Sequence, residues 1–229
     1  MRFLILALAC IALTGCTITN QRLGAETDIG KPPPNSKVLL VRPDVSLALL
    51  TASGMQEAKA DWSKAGREDL TTEVKVALET KAHVFEAFDP DAVQDPHAVQ
   101  LLRLHDAVGQ SIMAFNYGLI KLPTKTGSFD WTLGEGAEAI GHDRHADYAL
   151  FVTTHGTYAS AGRKALMMGA ALLGASIPLG SQQVFASLVD LKTGRIVWFN
   201  VAVAGPGADM RTQAGAKSLV ESLLKGAPL

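Results

Sequence analysis

Two imidazoles and two carboxylates crowd six consecutive residues, His142-Asp143-Arg144-His145-Ala146-Asp147. Histidine nitrogen and carboxylate oxygen are zinc ligands at about 2.0–2.2 Å, and histidines three apart on a helix turn their rings toward one ion. His142, His145 and Asp147 are therefore the candidate metal set, and a metal-dependent enzyme built on them is one alternative function. The stretch lies where a helix should run into a strand, which breaks the helical spacing. A polar connector, with Asp147 bonding the turn, is the competing reading. The expectation is no metal and no cofactor. Other chemistry is sparse: the sequence contains no G-x-S-x-G elbow, H-E-x-x-H helix or G-x-x-x-x-G-K-[ST] loop. Gly134-Glu135-Gly136 resembles a nucleotide fingerprint only in part, and Glu135 and Glu138 at a helix start would repel a pyrophosphate. His83, His97 and His105 read as boundary or surface histidines, and Asp61, Glu68 and Glu73 as capping or solvated-face residues. The pattern predicts a protein that is not an enzyme.

The other reactive side chain is a sulfur. Met1-Arg2 precedes the apolar run from Phe3 to Leu13, and Leu13-Thr14-Gly15-Cys16 closes it. A charged lead, an apolar stretch and small residues at the cleavage point make a secretory signal. The tetrapeptide resembles the bacterial lipobox, in which the Cys is diacylated, becomes the new N-terminus and is acylated again. Several acyl chains anchor stably, at ~0.8 kcal/mol per buried methylene. Cys16 is thus the predicted lipidation site and the membrane is reached through it. The chain has two cysteines; Cys10 leaves with the leader, so no thiol remains for a disulfide or a nucleophile.

The elements that must carry these groups fall into an order. Residues 1–15 are the signal peptide, 16–36 the lipidated Cys and a flexible tether ending in Pro32-Pro33-Pro34, and 37–229 one domain. Such a tether would hold the domain tens of ångströms from the membrane at ~3 Å per extended residue. Strands are expected at 37–41, 45–50, 84–88, 148–152, 182–191 and 195–204, the last two joined at Asp190-Leu191-Lys192-Thr193-Gly194. A helix from Asp61 to about Thr80 faces inward with Trp62, Leu70, Val74 and Leu78. Asp95-Pro96 starts another, carrying Leu101, Leu104, Val108 and Ile112, and a short one covers 134–142. Asp209 opens the last, with Leu219, Val220, Leu223 and Leu224. Helices alternate with strands and then a hairpin arrives. The predicted fold is α/β (α+β), a mixed β-sheet with helices packed on it.

Residues 165–180 are a Gly/Ala-rich apolar excursion without one charge. Ala165, Gly169 and Leu173, like Ala170 and Gly174, recur at spacings of four, which lets helices approach closely. Three readings compete: a helix buried on the sheet, a contact between protomers that uses Gly169 and Leu173, and a membrane-inserting hairpin of an oligomeric channel or secretion component. Trp198 and Phe199 are neighbours on a strand and face opposite sides. One fills the core, and the other is a candidate interface anchor if exposed. With 21 basic and 22 acidic residues, net charge −1, and no basic run, the chain has no electrostatic footprint for nucleic acid.

Ala146-Asp147-Tyr148-Ala149-Leu150-Phe151-Val152, Ala159-Ser160-Ala161-Gly162-Arg163 and the turn Asp190-Leu191-Lys192-Thr193-Gly194-Arg195-Ile196-Val197-Trp198 resemble a group of uncharacterised proteobacterial lipoproteins. More distantly they resemble the curli-secretion lipoprotein and the activator lipoproteins of penicillin-binding proteins. The resemblance implies a compact α/β domain on the periplasmic face of the outer membrane. It would act non-catalytically, as a structural or assembly accessory, on an envelope protein partner or by self-association. Thr17 stands where an Asp would favour inner-membrane retention, so the outer membrane is expected.

Overall fold

The computed structural model describes residues 18–23, 31–79, 81–118, 120–125, 129–204 and 208–229. The predicted lipidation site, Cys16, lies outside them.

The sheet is built on its longest strand. β6 (Tyr148–Ala159) pairs antiparallel with β7 (Gln182–Asp190), β7 with β8 (Ile196–Val203), and β8 with β1 (Ile18–Leu23). On its other side β6 is long enough to take two parallel partners in succession. β2 (Lys37–Val41) pairs with its first half and β3 (Asp44–Leu50) with its second. The break between them falls at Arg42-Pro43, where proline offers no N–H to a ladder. β5 (Val84–Phe88) adds parallel to β2, and β4 (Gln56–Ala58) antiparallel to β3. The expected mixed sheet with helices packed on it is what forms.

Both faces of the central strands are covered, which is why these strands read as unbroken apolar runs. On one face α1 (Ala60–Leu78) and α4 (Gln213–Leu223) seat Leu70, Val74, Leu78, Leu219 and Leu223 against Leu150, Leu188 and Trp198. On the other, α2 (Pro96–Ile112) and the irregular segment around Phe129, Leu133 and Ile140 cover Phe151, Phe185 and Phe199. Trp198 and Phe199 thus face opposite sides, as expected, yet both are fully buried. Neither serves as an interface anchor, because a helical layer lies on each side.

Several local expectations change. Ile18–Leu23, inside the stretch read as tether, is a strand, since the outer edge of β8 has backbone groups to satisfy. α1 is preceded by Lys59 rather than capped by Asp61, and α4 is capped by Thr212, whose hydroxyl accepts from the Gly215 N–H at 3.2 Å. Glu73 is buried and accepts from Gln213 Nε2 at 3.3 Å instead of facing solvent. Residues 134–144 form two 3-10 turns, Glu135–Ile140 and His142–Arg144. In α2 the inward row is Ala98, Leu101, His105, Gly109 and Ile112, with Leu104 left 41% exposed. The helix is rotated so that a histidine, not a leucine, meets the sheet.

Candidate functional site

The apolar excursion becomes an arm. Ser160 caps α3 (Ala161–Leu172) by accepting from the Arg163 N–H at 3.1 Å, and a left-handed Gly174 (φ 74°) ends the turn after it. α3 has no buried residue. Leu172 and Leu173 are 89% and 87% exposed, Met168 61%, and Leu166 and Leu179 are also open. A Cβ placed on Gly169 or Gly174 would meet nothing within 4 Å. The expectation of a helix packed on the sheet is therefore overturned. The apolar face predicted by its spacing exists, but among the described residues no element covers it. Gly169 and Leu173, the candidate interface residues, are both on this uncovered arm.

The base of the arm is firmly tied. Arg163 Nε donates to the Pro178 carbonyl at 2.7 Å and its Nη1 to the Thr51 carbonyl at 3.4 Å. Ala159 N–H donates to the Leu179 carbonyl at 3.0 Å, and Thr157 N–H to the Ser181 carbonyl at 2.7 Å. Gly180 (φ 112°) is packed so closely that a Cβ would lie 2.1 Å from the Thr157 carbonyl oxygen. Arg163 was missed in the sequence, although its position, with Lys164, just ahead of an uncharged run of 25 residues, Ala165 to Val189, was a usable signal.

Beside that base lies an aromatic and ionic cluster. Tyr158 OH donates to Gln182 Oε1 at 2.6 Å, and Trp62 meets the Tyr158 ring edge-on at 5.8 Å. The Arg211 guanidinium stacks on Tyr158 at 3.7 Å while its Nε and Nη2 grip Asp209 at 2.9 and 2.6 Å. Arg211 holds the Asp209 carboxyl below the usual carboxylate range, and burial, with the Asp209 charge, pushes the Tyr158 phenol up.

At the opposite end of β6 sits the histidine-rich segment. His142 is exposed, with Nδ1 3.4 Å from Asp143 Oδ1. His145 is in the left-handed region (φ 49°) and exposed. Asp147 Oδ2 instead accepts from the Lys37 N–H at 2.8 Å, satisfying the first donor of β2. The three candidate ligands do not converge, and among the described residues no group of three or more His, Cys, Asp or Glu is placed to hold a metal ion. Nearby, Glu86 accepts from Lys37 Nζ at 2.7 Å and from Arg144, and these cations, Lys37 first, hold its carboxyl below the ordinary range. A cleft of about 620 Å³ opens there between Phe88, Asp95, His97, Glu138 and Arg144.

His105, expected at a boundary, is fully buried. Its ring stacks on Phe151 at 3.7 Å and its Nε2 lies 2.6 Å from Ser187 Oγ. This His–Ser pair has no access to substrate, so it is a core contact between α2 and β7.

No family model matches the sequence, and no curated protein does. Among solved structures the chain is similar to the PelC dodecamer from Paraburkholderia phytofirmans, at 13% identity and a TM-score of 0.41, covering 93% of this chain and 96% of that one. It is also similar to Lipoprotein GNA1162 from Neisseria meningitidis, at 11% identity and a TM-score of 0.34, covering 83% and 96%. Identities and TM-scores this low transfer neither function nor assembly to this chain.

Proposed function

We propose that this chain is a lipid-anchored envelope protein, held through Cys16 on the periplasmic face of the outer membrane, that works non-catalytically as a structural or assembly accessory. The observation that carries the contact role is the arm. A domain whose sheet is covered on both faces nonetheless presents Leu166, Met168, Leu172, Leu173 and Leu179 to its surroundings. Exposed apolar surface of this continuity is a contact surface. The anchor rests on the leader and its resemblance to a lipobox.

An oligomeric channel or secretion component using residues 165–180 is the second reading, favoured by the same uncharged projection. α3 has 12 residues, about 18 Å at ~1.5 Å per residue, against a hydrocarbon core of about 30 Å. Among the described residues no helix is long and apolar enough to cross a membrane.

Mass spectrometry of the N-terminal peptide from the native host tests the anchor: a triacylated Cys16 is expected, and a free, alkylatable thiol overturns it. Replacing residues 165–180 by a short Gly-Ser turn should abolish copurification with the partner assembly while leaving the domain folded. Unchanged copurification removes the arm from the mechanism. Liposome leakage that a Gly169→Glu variant abolishes would favour the channel instead.

A further inference from the structure

The start of β1 and the base of the arm lie at the same end of the sheet. Ile18 pairs with Val203, Val203 with Gln183, and Gln182 with Gly156, three residues before the end of β6. Strand spacing of about 4.8 Å puts β1 and β6 roughly 14 Å apart across this row. In the sequence only Thr17 stands between Cys16 and Ile18, and a chain step reaches at most ~3.8 Å, so an acyl anchor at Cys16 would be joined to β1 by a link of about 8 Å or less. An acyl anchor so close to β1 leaves no room for a long tether. It brings this end of the sheet down to the bilayer surface.

The chemistry of that end changes in the order a membrane interface requires. Arg163 and Lys164 stand at the base of α3, Arg163 bonded to the Pro178 and Thr51 carbonyls, and every residue from Ala165 to Ser181 is uncharged. Cations suit the headgroup layer, and an apolar helix suits the acyl boundary, where interfacial helices settle about 5–10 Å deep. Val203, at the Ile18 pairing position, is itself 45% exposed.

Resting on the anchored reading above, we infer that the occupant of the arm is the lipid bilayer carrying the Cys16 anchor. Residues 165–179 lie in its interfacial region as a second attachment beside the acyl chains. The seat turns the cleft at Phe88, His97 and Arg144, at the other end of β6, away from the membrane, where a partner can reach it. Two attachments at one end fix the orientation of the domain, which a lone flexible anchor does not.

The test uses the acylated full mature chain, in which Cys16 is blocked. Leu172→Cys and, at the far end of the β7–β8 hairpin, Lys192→Cys are each labelled with an environment-sensitive fluorophore. Both are bound to phosphatidylethanolamine–phosphatidylglycerol vesicles with or without spin-labelled acyl chains. Emission at position 172 is expected to fall at least about twofold with spin-labelled lipid while position 192 is unchanged. A Met168→Glu, Leu173→Glu change in the same labelled chain should relieve the quenching; both sites are exposed, so the fold is spared. An acylated Cys16 with position 172 unquenched overturns the seat alone. Unquenched emission with energy transfer between copies assigns the arm to a second copy, and a crosslink to another protein assigns it there. An unacylated Cys16 sinks the anchor and the seat together.

Discussion

Arg163 Nε donates to the Pro178 carbonyl at 2.7 Å, closing the arm on itself, while Nη1 of the same guanidinium reaches the Thr51 carbonyl in the turn between β3 and β4. One side chain therefore links the two limbs of the arm to the β3–β4 turn, alongside the backbone bonds at its base. Arg163→Ala should loosen residues 161–181 and leave the rest intact. Hydrogen exchange in the arm is expected to rise, with global stability falling by no more than about 1–2 kcal/mol. Equal acceleration through β6 and β7 would show that the arm is integral to the core.

Gly180 makes a stricter demand. Its φ of 112° and the 2.1 Å approach of a Cβ to the Thr157 carbonyl exclude other residues without a backbone shift. Gly180→Ala should cost roughly 2–3 kcal/mol in urea unfolding. Gly169→Ala, where a Cβ meets nothing within 4 Å, should stabilise α3 by up to about 1 kcal/mol.

Burial holds the His105 pKa below the ordinary imidazole range, with Asp106 opposing more weakly. The unfolded chain, titrating near 6.5, then takes up the proton first as pH falls. The stability contributed by neutral His105 is complete above that value and is lost as pH drops through it toward the folded pKa. Urea midpoints should decline from pH 8 to pH 5, and His105→Gln should flatten that slope. A slope unaltered in the variant would assign it elsewhere.

Asn200 Nδ2 donates to the Leu223 carbonyl at 2.5 Å, closing the C-terminal end of α4 against β8. Both residues are fully buried. Asn200→Ala leaves that carbonyl unpaired, and a loss of about 1–3 kcal/mol is expected by chemical denaturation.

His142→Ala, His145→Ala tests the metal alternative. With both side chains exposed and unconverged, the pair should change stability by no more than about 0.5 kcal/mol. Zinc or a chelator should leave the melting temperature of either protein unmoved. A zinc-dependent rise in the parent that the variant loses would revive the site.

The sequence by itself determined the elements whose signals are local. Asp95 caps α2 as expected, its Oδ1 accepting from the His97 N–H at 3.0 Å with Pro96 in the first turn. Asp190 Oδ1 accepts from Lys192 N–H at 2.9 Å in the expected hairpin loop, and the apolar strands lie where their runs predict. Only the tertiary structure decided what each apolar face meets. Periodicity announces that α3 has such a face; it carries no information on whether another layer covers it. Trp198 and Phe199 are both buried because helices pack on both sides of β8. His105 replaces Leu104 on the inward row because α2 is rotated against Ser187 and Phe151. Asp147 serves β2 instead of a metal because Lys37, 110 positions away, arrives beside it. Ile18 becomes part of the sheet because β8 has an edge to fill. Each is a contact between distant segments, and burial is a property of the pair rather than of either residue.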